Sequence, residues 1–431
     1  MTPSGQTASV CLDVGSTWTK AVLVAADGSL VGFAEHPTTR HDVLEGVDAA
    51  VRGVSAAGGG RPTDREPELL ACSSAGGGLR LAVVGSERLT ATEVGHRVAC
   101  SAGARVVHVH GGPLEPADVR LLRGARPGVV LLVGGSDGDD PAALLHNAGR
   151  LARARIRFPI VLAANAAARD DAAALLRATG RTVVISDNVM PRPGEIVPAP
   201  ARAALARLYA RHAVGARGPA AGPRFRRLAK VATPDAVGHA AGRLTRMSGR
   251  RVLLVDVGCA TTDVHSALDG PGSRTVEGDL GMRAAAEGVL VAGQTEGVVD
   301  PVEADLLGPT VARMVSEVGY VPRDPGSAAE DRRIAAVAAV IAVRRHLRAH
   351  EGAGKEIGLV VLSGGVFRQR QRPGALAAVV STLQADPVLA DPLREVPVVV
   401  DADFAVAPAG LLAAHGRTAA AEALLRDHLL G

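Results

Sequence analysis

Val10-Cys11-Leu12-Asp13-Val14-Gly15-Ser16-Thr17-Trp18-Thr19-Lys20-Ala21-Val22 is the stretch that decides how this chain is read. Apolar residues carry a strand to Asp13, Gly15 permits a sharp turn, and a second apolar run returns. Ser16 and Thr17 offer backbone N–H groups and hydroxyls suited to phosphate oxygens, and Lys20 adds a compact positive charge. Asp13 suits a magnesium ion held through water, as that ion usually prefers. A plain hairpin with a polar turn accounts for the same letters taken alone. The echo changes that: Val252-Leu253-Leu254-Val255-Asp256-Val257-Gly258-Cys259-Ala260-Thr261-Thr262-Asp263-Val264 repeats strand, acid, turn and hydroxyls. Two such hairpins facing one another clamp a phosphate chain from both sides. Asp256 then orients a water or a metal, and Asp263 emerges on the returning strand.

A third element, Val360-Val361-Leu362-Ser363-Gly364-Gly365-Val366-Phe367, follows downstream. A strand ending in two glycines lets backbone approach a flat ligand such as adenosine. The order of phosphate loop, long gap, phosphate loop and Gly-Gly resembles the motifs of the actin/Hsp70/hexokinase superfamily. That resemblance implies an α/β fold: duplicated actin-like ATPase (ribonuclease H-like) domains closing over ATP and Mg2+. It implies nucleotide contacts from Gly15, Ser16, Thr17, Gly258, Cys259, Ala260, Thr261, Thr262, Asp263, Gly364 and Gly365. Asp13, Asp256 and Lys20 take the catalytic roles, and Asp13 and Asp256 position the metal.

Composition narrows the alternatives. With 431 residues, 47% of them hydrophobic, the chain can build more than one core. Aromatic residues make up 2%, so that interior is filled by Ala, Val and Leu. The net charge of +4 comes from nearly balanced acids and bases with few rings for base stacking, which argues against nucleic-acid binding. Cys11, Cys72, Cys100 and Cys259 lie far apart without a CxxC pair, which fits reduced thiols rather than disulfides or a zinc ribbon. Residues 1–9 have no leader-like pattern and no apolar run is long enough to span a bilayer, so a cytoplasmic protein is expected.

Short β-branched runs alternate with Ala/Leu-rich helical stretches, the signature of α/β architecture. Residues 1–95 read as the first actin-like half and 96–200 as an inserted parallel α/β unit. Residues 201–245 read as a helical linker, basic around Arg217, Arg224, Arg226 and Arg227, and 246–431 as the second half. Helices are expected at 331–350, 374–384 and 407–429. Ser73–Gly78 reads as a glycine-rich turn. No G-x-x-x-x-G-K-[ST] is present, and Val133–Gly138 lacks dinucleotide spacing. That loop either binds something or turns the chain into a helix capped by Asp140. Glu277, Asp279 and Arg283 are either a nucleotide-sensing segment or a local ion-pair network. His265 and Ser266 point to opposite faces of a strand, so His265 is expected to be structural.

Longer words sharpen the resemblance. Residues 13–20, 132–138, 187–191, 256–266 and 274–283 are similar to the glutamate mutase accessory family, over about residues 8–429. That family implies an ATP-dependent reactivating chaperone with weak ATPase activity for an adenosylcobalamin-dependent glutamate/methylaspartate mutase. Mutase subunits are then the partners, and a homodimer is compatible with it. The sequence departs from the family at Cys259, where glycine is expected, and a Cβ there is expected to narrow the turn or force another φ. A small-molecule kinase of the same superfamily is the rival reading; no segment stands out as its substrate cleft. A dehydratase activator needs cysteines for an iron–sulfur cluster, and a non-hydrolysing scaffold rests on Cys259 alone.

Overall fold

The structure, a computed structural model, describes residues 7–39, 41–57, 66–99, 102–154, 156, 158–213, 222–267, 272–350, 356–368 and 376–431. Cys100, Arg217 and the expected helix start at Gly374 lie outside them. The chain opens as an antiparallel meander of β1 (Ser9–Val14), β2 (Trp18–Val24) and β3 (Leu30–Pro37), and β4 (Glu68–Ser73) returns parallel to β1. Next come β5 (Leu79–Gly85), β6 (Ala104–Gly111), β7 (Val129–Leu132), β8 (Ile160–Leu162) and β9 (Val183–Ile185). They form a separate parallel sheet in the order β6-β5-β7-β8-β9. After it, β10 (Ala229–Ala232) rejoins the first sheet beside β4. The third sheet holds β11 (Arg251–Val257), β12 (Thr262–Ala267), β13 (Ser273–Glu277), β14 (Ile357–Ser363) and β15 (Val398–Val400).

Written in one direction, the first sheet runs β3-β2-β1-β4-β10 and the third runs β13-β12-β11-β14-β15. The two orders are the same. This is the duplicated ribonuclease H-like arrangement of an actin-like ATPase, and it makes the two Asp-Val-Gly words structural equivalents.

The halves join through equivalent helices. Thr233–Ser248 follows β10, Val406–Ala414 follows β15, and the two pack on each other. Small residues make the approach close: a Cβ on Gly410 would lie 1.8 Å from the Ala236 carbonyl oxygen. One hydrophobic cluster therefore runs from Cys11, Val22 and Leu70 through Ala236, Ala240 and Leu411 to Leu254 and Val361. The expected helix at 331–350 is Pro325–Ala349, and every residue from Ile334 to Val343 is buried. A helix apolar on all sides belongs inside a core. The end of the chain, read as one helix, breaks into Val406–Ala414 and Thr418–Leu425, because Gly416 adopts φ +77° between them.

The chain separates into two compact units: residues 1–77, 211–275 and 280–431, and residues 78–210 with 276–279. The second unit thus includes β5, which the sequence assigned to the first half. The stretch read as a linker carries β10 and most of the helix Thr233–Ser248, both integral to the first unit. Nothing in the local sequence marks β10, whose four residues join their sheet only through β4. Within the second unit the Val133–Gly138 loop turns the chain, with Gly135 and Gly138 at φ +68° and +89°. Asp140 accepts a hydrogen bond from Ala142 N–H (2.9 Å) at the start of the helix Ala142–Arg153.

Candidate nucleotide site

The two phosphate-type turns have the same geometry. Gly15 N–H donates to the Trp18 carbonyl (3.0 Å) and Gly258 N–H to the Thr261 carbonyl (2.9 Å). A Cβ at Gly15 would lie 2.7 Å from the Trp18 oxygen, and one at Gly258 2.9 Å from the Thr261 oxygen, so both positions need glycine. Gly77, at φ +65°, lies between the turns: its Cβ position is 3.8 Å from Ser16 Cβ and 3.7 Å from Ala260 Cβ. Gly364 completes the set at φ +131°, where a Cβ would stand 2.3 Å from the Val257 oxygen at the end of β11. Gly365 is exposed at the start of the short helix Gly365–Arg368. All three sequence motifs therefore meet, and the glycine-rich turn after β4 sits between two of them.

Strand register sets the charges. Cys72, Asp13, Lys20 and Glu35 stand directly opposite one another on β4, β1, β2 and β3, which puts them on one face. Lys20 Nζ donates to Asp13 Oδ2 at 3.2 Å, and Thr233 Oγ1 donates to Asp13 Oδ1 at 2.7 Å. The Cys72 thiol approaches the same Oδ1 at 3.8 Å, and burial followed by the Asp13 charge pushes its pKa well up. Burial works against the charge on Lys20, but Asp13 and Asp256 outweigh it and raise its pKa, so the ammonium stays charged. Lys20 thus feels acids from both halves.

The second half has its own row: Asp263, Asp256 and Ser363 on β12, β11 and β14. Ser363 Oγ donates to Asp401 Oδ2 (3.0 Å), and Asp401 also accepts from the Ala405 and Val406 N–H groups at the next helix. Burial raises the pKa of Asp401 despite those bonds. Asp256 is raised to about 6, first by burial and then by Asp13 and Asp401, with Lys20 acting in the opposite direction. It has no hydrogen-bond partner among the described residues. A half-buried carboxylate with no donor and two acids near it is a fitting ligand for a hydrated cation. No group of three or more His, Cys, Asp or Glu that could hold a metal occurs among the described residues.

Other expected residues divide. Thr262 is buried and its hydroxyl donates to the Leu280 carbonyl (2.6 Å), so that hydroxyl holds the segment after β13 rather than the cleft. Backbone bonds from Met282 to Gly258 and from Arg283 to Cys259 fasten the same segment to the turn. Cys259 has no positive φ and is half-buried; the turn carries its Cβ without the conformational change expected from the missing glycine. Arg283 is buried and pairs with Asp331 (3.2 Å), a partner from the helix Pro325–Ala349. His265 is buried and held neutral, its pKa lowered to about 3 by burial first and by Arg274 and His346. Its Nε2 has no hydrogen-bond partner among the described residues, so the expectation of a satisfied core histidine holds for burial only. Ser266 bonds instead with buried His346 (2.9 Å).

Sequence reading missed Thr233, Cys72 and Asp401. Thr233 comes 220 residues after the acid it holds, and no local pattern announces it. Only the strand order brings these residues to the phosphate turns.

A model of the MutL protein family matches residues 9–429. The chain belongs to the MutL family. This is the glutamate mutase accessory family that the sequence words resemble. This family member is 29% identical over 446 aligned positions to Protein MutL of Clostridium tetanomorphum, covering 93% of this chain and 95% of that one. Solved structures that overlap it include the diol dehydratase-reactivating factor in nucleotide-free form (12% identity, 95% of this chain and 100% of that one, TM-score 0.38). Xylulose kinase from Bifidobacterium adolescentis also overlaps (12% identity, 97% and 93% covered, TM-score 0.34). Such overlaps are loose; the fold assignment rests on the matched strand orders. No described helix is long and apolar enough to cross a membrane.

Proposed function

We propose that this accessory protein binds and slowly hydrolyses Mg-ATP between its two actin-like halves and uses the cycle to reactivate an adenosylcobalamin-dependent glutamate/methylaspartate mutase. The observation that carries the nucleotide reading is the position of Gly77, where an added Cβ would touch both Ser16 Cβ of one phosphate-type turn (3.8 Å) and Ala260 Cβ of the other (3.7 Å). Ser16, Thr17 and the backbone of 258–261 offer donors to the phosphate chain, and charged Lys20 meets its negative charge. Thr233 and Lys20 hold the two oxygens of Asp13, so that carboxylate keeps one orientation. Asp256, with a pKa near 6, is ionised at neutral pH and poised to orient a water and accept its proton. Asp13 and Asp256 would hold Mg2+ through water, and the ion would supply charge neutralisation at the phosphates.

The mutase reading is supported by family membership. The physical logic is a two-state element: nucleotide favours one arrangement of the halves and its hydrolysis another. The test is ATP turnover by purified protein with and without a cobalamin-dependent glutamate mutase inactivated by turnover. Recovery of mutase activity that requires Mg-ATP is the expected result. ATP hydrolysis without any recovery would refute the reactivase role, and absence of ATP binding would refute the cleft assignment.

A further inference from the structure

The chain has only 5 phenylalanines, and two of them meet beside the candidate nucleotide cleft. Phe33 lies on β3 in the first half. Phe404 lies just after β15 in the second. Their rings contact edge to face, with centroids 6.1 Å apart. Arg368, at the end of the short helix that follows Gly364, places its guanidinium 3.9 Å from the Phe33 ring centroid and 5.5 Å from that of Phe404. Its Nη1 pairs with Glu35 on β3 at 3.1 Å. The side chain of Arg368 is 18% exposed, and its Nε is buried without a hydrogen-bond partner among the described residues.

Two details tie this cluster to the site. Glu35 stands directly opposite Lys20 in the β2–β3 register, and Lys20 Nζ lies 4.7 Å from the Phe404 ring centroid. Phe404 itself is buried at φ +57°, a conformation that a phenylalanine adopts only when its surroundings impose it. An exposed ion pair alone contributes little. A guanidinium stacked on two rings and largely withdrawn from water contributes more. Phe33 and Glu35 belong to the first half and Arg368 and Phe404 to the second, so separating the halves breaks the Arg368–Phe33 and Phe33–Phe404 contacts and the ion pair while leaving Arg368 on Phe404.

We propose that Glu35, Phe33, Arg368 and Phe404 form a latch across the cleft that sets the rate at which nucleotide enters and leaves. The inference rests on the nucleotide reading above and concerns the opening motion, not the chemical step. Contacts present in the closed form and lost on opening raise the opening barrier, so weakening them speeds exchange in both directions.

The experiment uses the full chain and a fluorescent N-methylanthraniloyl analogue of ATP with Mg2+ in stopped flow. Glu35→Gln removes the charge at an exposed position, and Arg368→Lys keeps the charge but loses the planar stack. Arg368→Lys is expected to raise the association and dissociation rate constants about fivefold to tenfold, a barrier change of about 1–1.4 kcal/mol, and Glu35→Gln, which removes only the exposed ion pair, about twofold to fivefold. The equilibrium Kd and the single-turnover hydrolysis rate should move less than about twofold to threefold by the same scale. The exchanged pair Glu35→Arg with Arg368→Glu should restore slow exchange at least in part. Dissociation within twofold of wild type in both single variants overturns the latch while leaving the nucleotide site intact. A wild-type protein that binds no nucleotide overturns the site, and the gating with it.

Discussion

Asp256→Asn tests the electrostatics of the cleft without any ligand. Burial and neighbouring acids lift the Asp256 pKa from 3.8 to about 6. That difference corresponds to about 3 kcal/mol as an upper value, and about 1–2 kcal/mol once solvent screening on its open side is allowed for. The folded-state pKa lies above the unfolded one, so the unfolded chain ionises first as pH rises. Stability from this group is therefore full below about pH 4, falls as pH rises to about 6, and stays reduced at neutral pH. Asparagine has no charge to bury. Asp256→Asn should thus be more stable than wild type by about 1–2 kcal/mol at pH 7.5, with the gain gone near pH 4. Urea denaturation followed through Trp18 reads this directly, because Trp18 is the only tryptophan and opens β2 in the same unit. The same variant should lose ATP turnover by about two orders of magnitude or more while still binding ATP. A variant less stable than wild type at pH 7.5, or one equally stabilised at both pH values, would refute the stated cause; surviving turnover would refute the role.

Wild-type kcat/KM, which reports the free protein, should fall as pH drops through about 6, where Asp256 takes up a proton, and the decline should be absent from the residual rate of Asp256→Asn. Thr233→Val removes the 2.7 Å bond to Asp13 and should lower kcat about tenfold with KM nearly unchanged, while Thr233→Ser restores it. Gly77→Val places a branched side chain at φ +65° between Ser16 and Ala260; calorimetric titration should show ATP binding lost. Gly410→Leu drives a side chain into the Ala236 carbonyl and should lower stability by about 3 kcal/mol or more, seen as a lower urea midpoint.

Much of the fold was legible because each phosphate-type motif is local. Strand, acid, glycine turn and returning strand lie within a dozen or so residues, and the close approaches at Gly15 and Gly258 show why those letters are needed. The same locality explains the success with the helix Pro325–Ala349, whose apolar run speaks for itself. The unit boundaries were not legible in this way. A strand such as β5 reads alike in either sheet, and hydrogen bonding to β6 and β7 alone assigns it. Thr262 shows a related limit: its hydroxyl looks like a phosphate ligand in sequence, but the Leu280 carbonyl takes it in the fold.

The sequence by itself thus determined the duplicated architecture and the glycine turns that follow Asp13 and Asp256, since these depend on neighbours along the chain. The tertiary structure alone decided that Thr233 holds Asp13, that Gly77 separates the two turns, that Asp401 acts on Asp256, and that Arg368 meets Glu35 across the halves. Those pairs are set by strand order and register over long separations, and side-chain chemistry carries no label for the distant residue that sheet pairing will bring beside it.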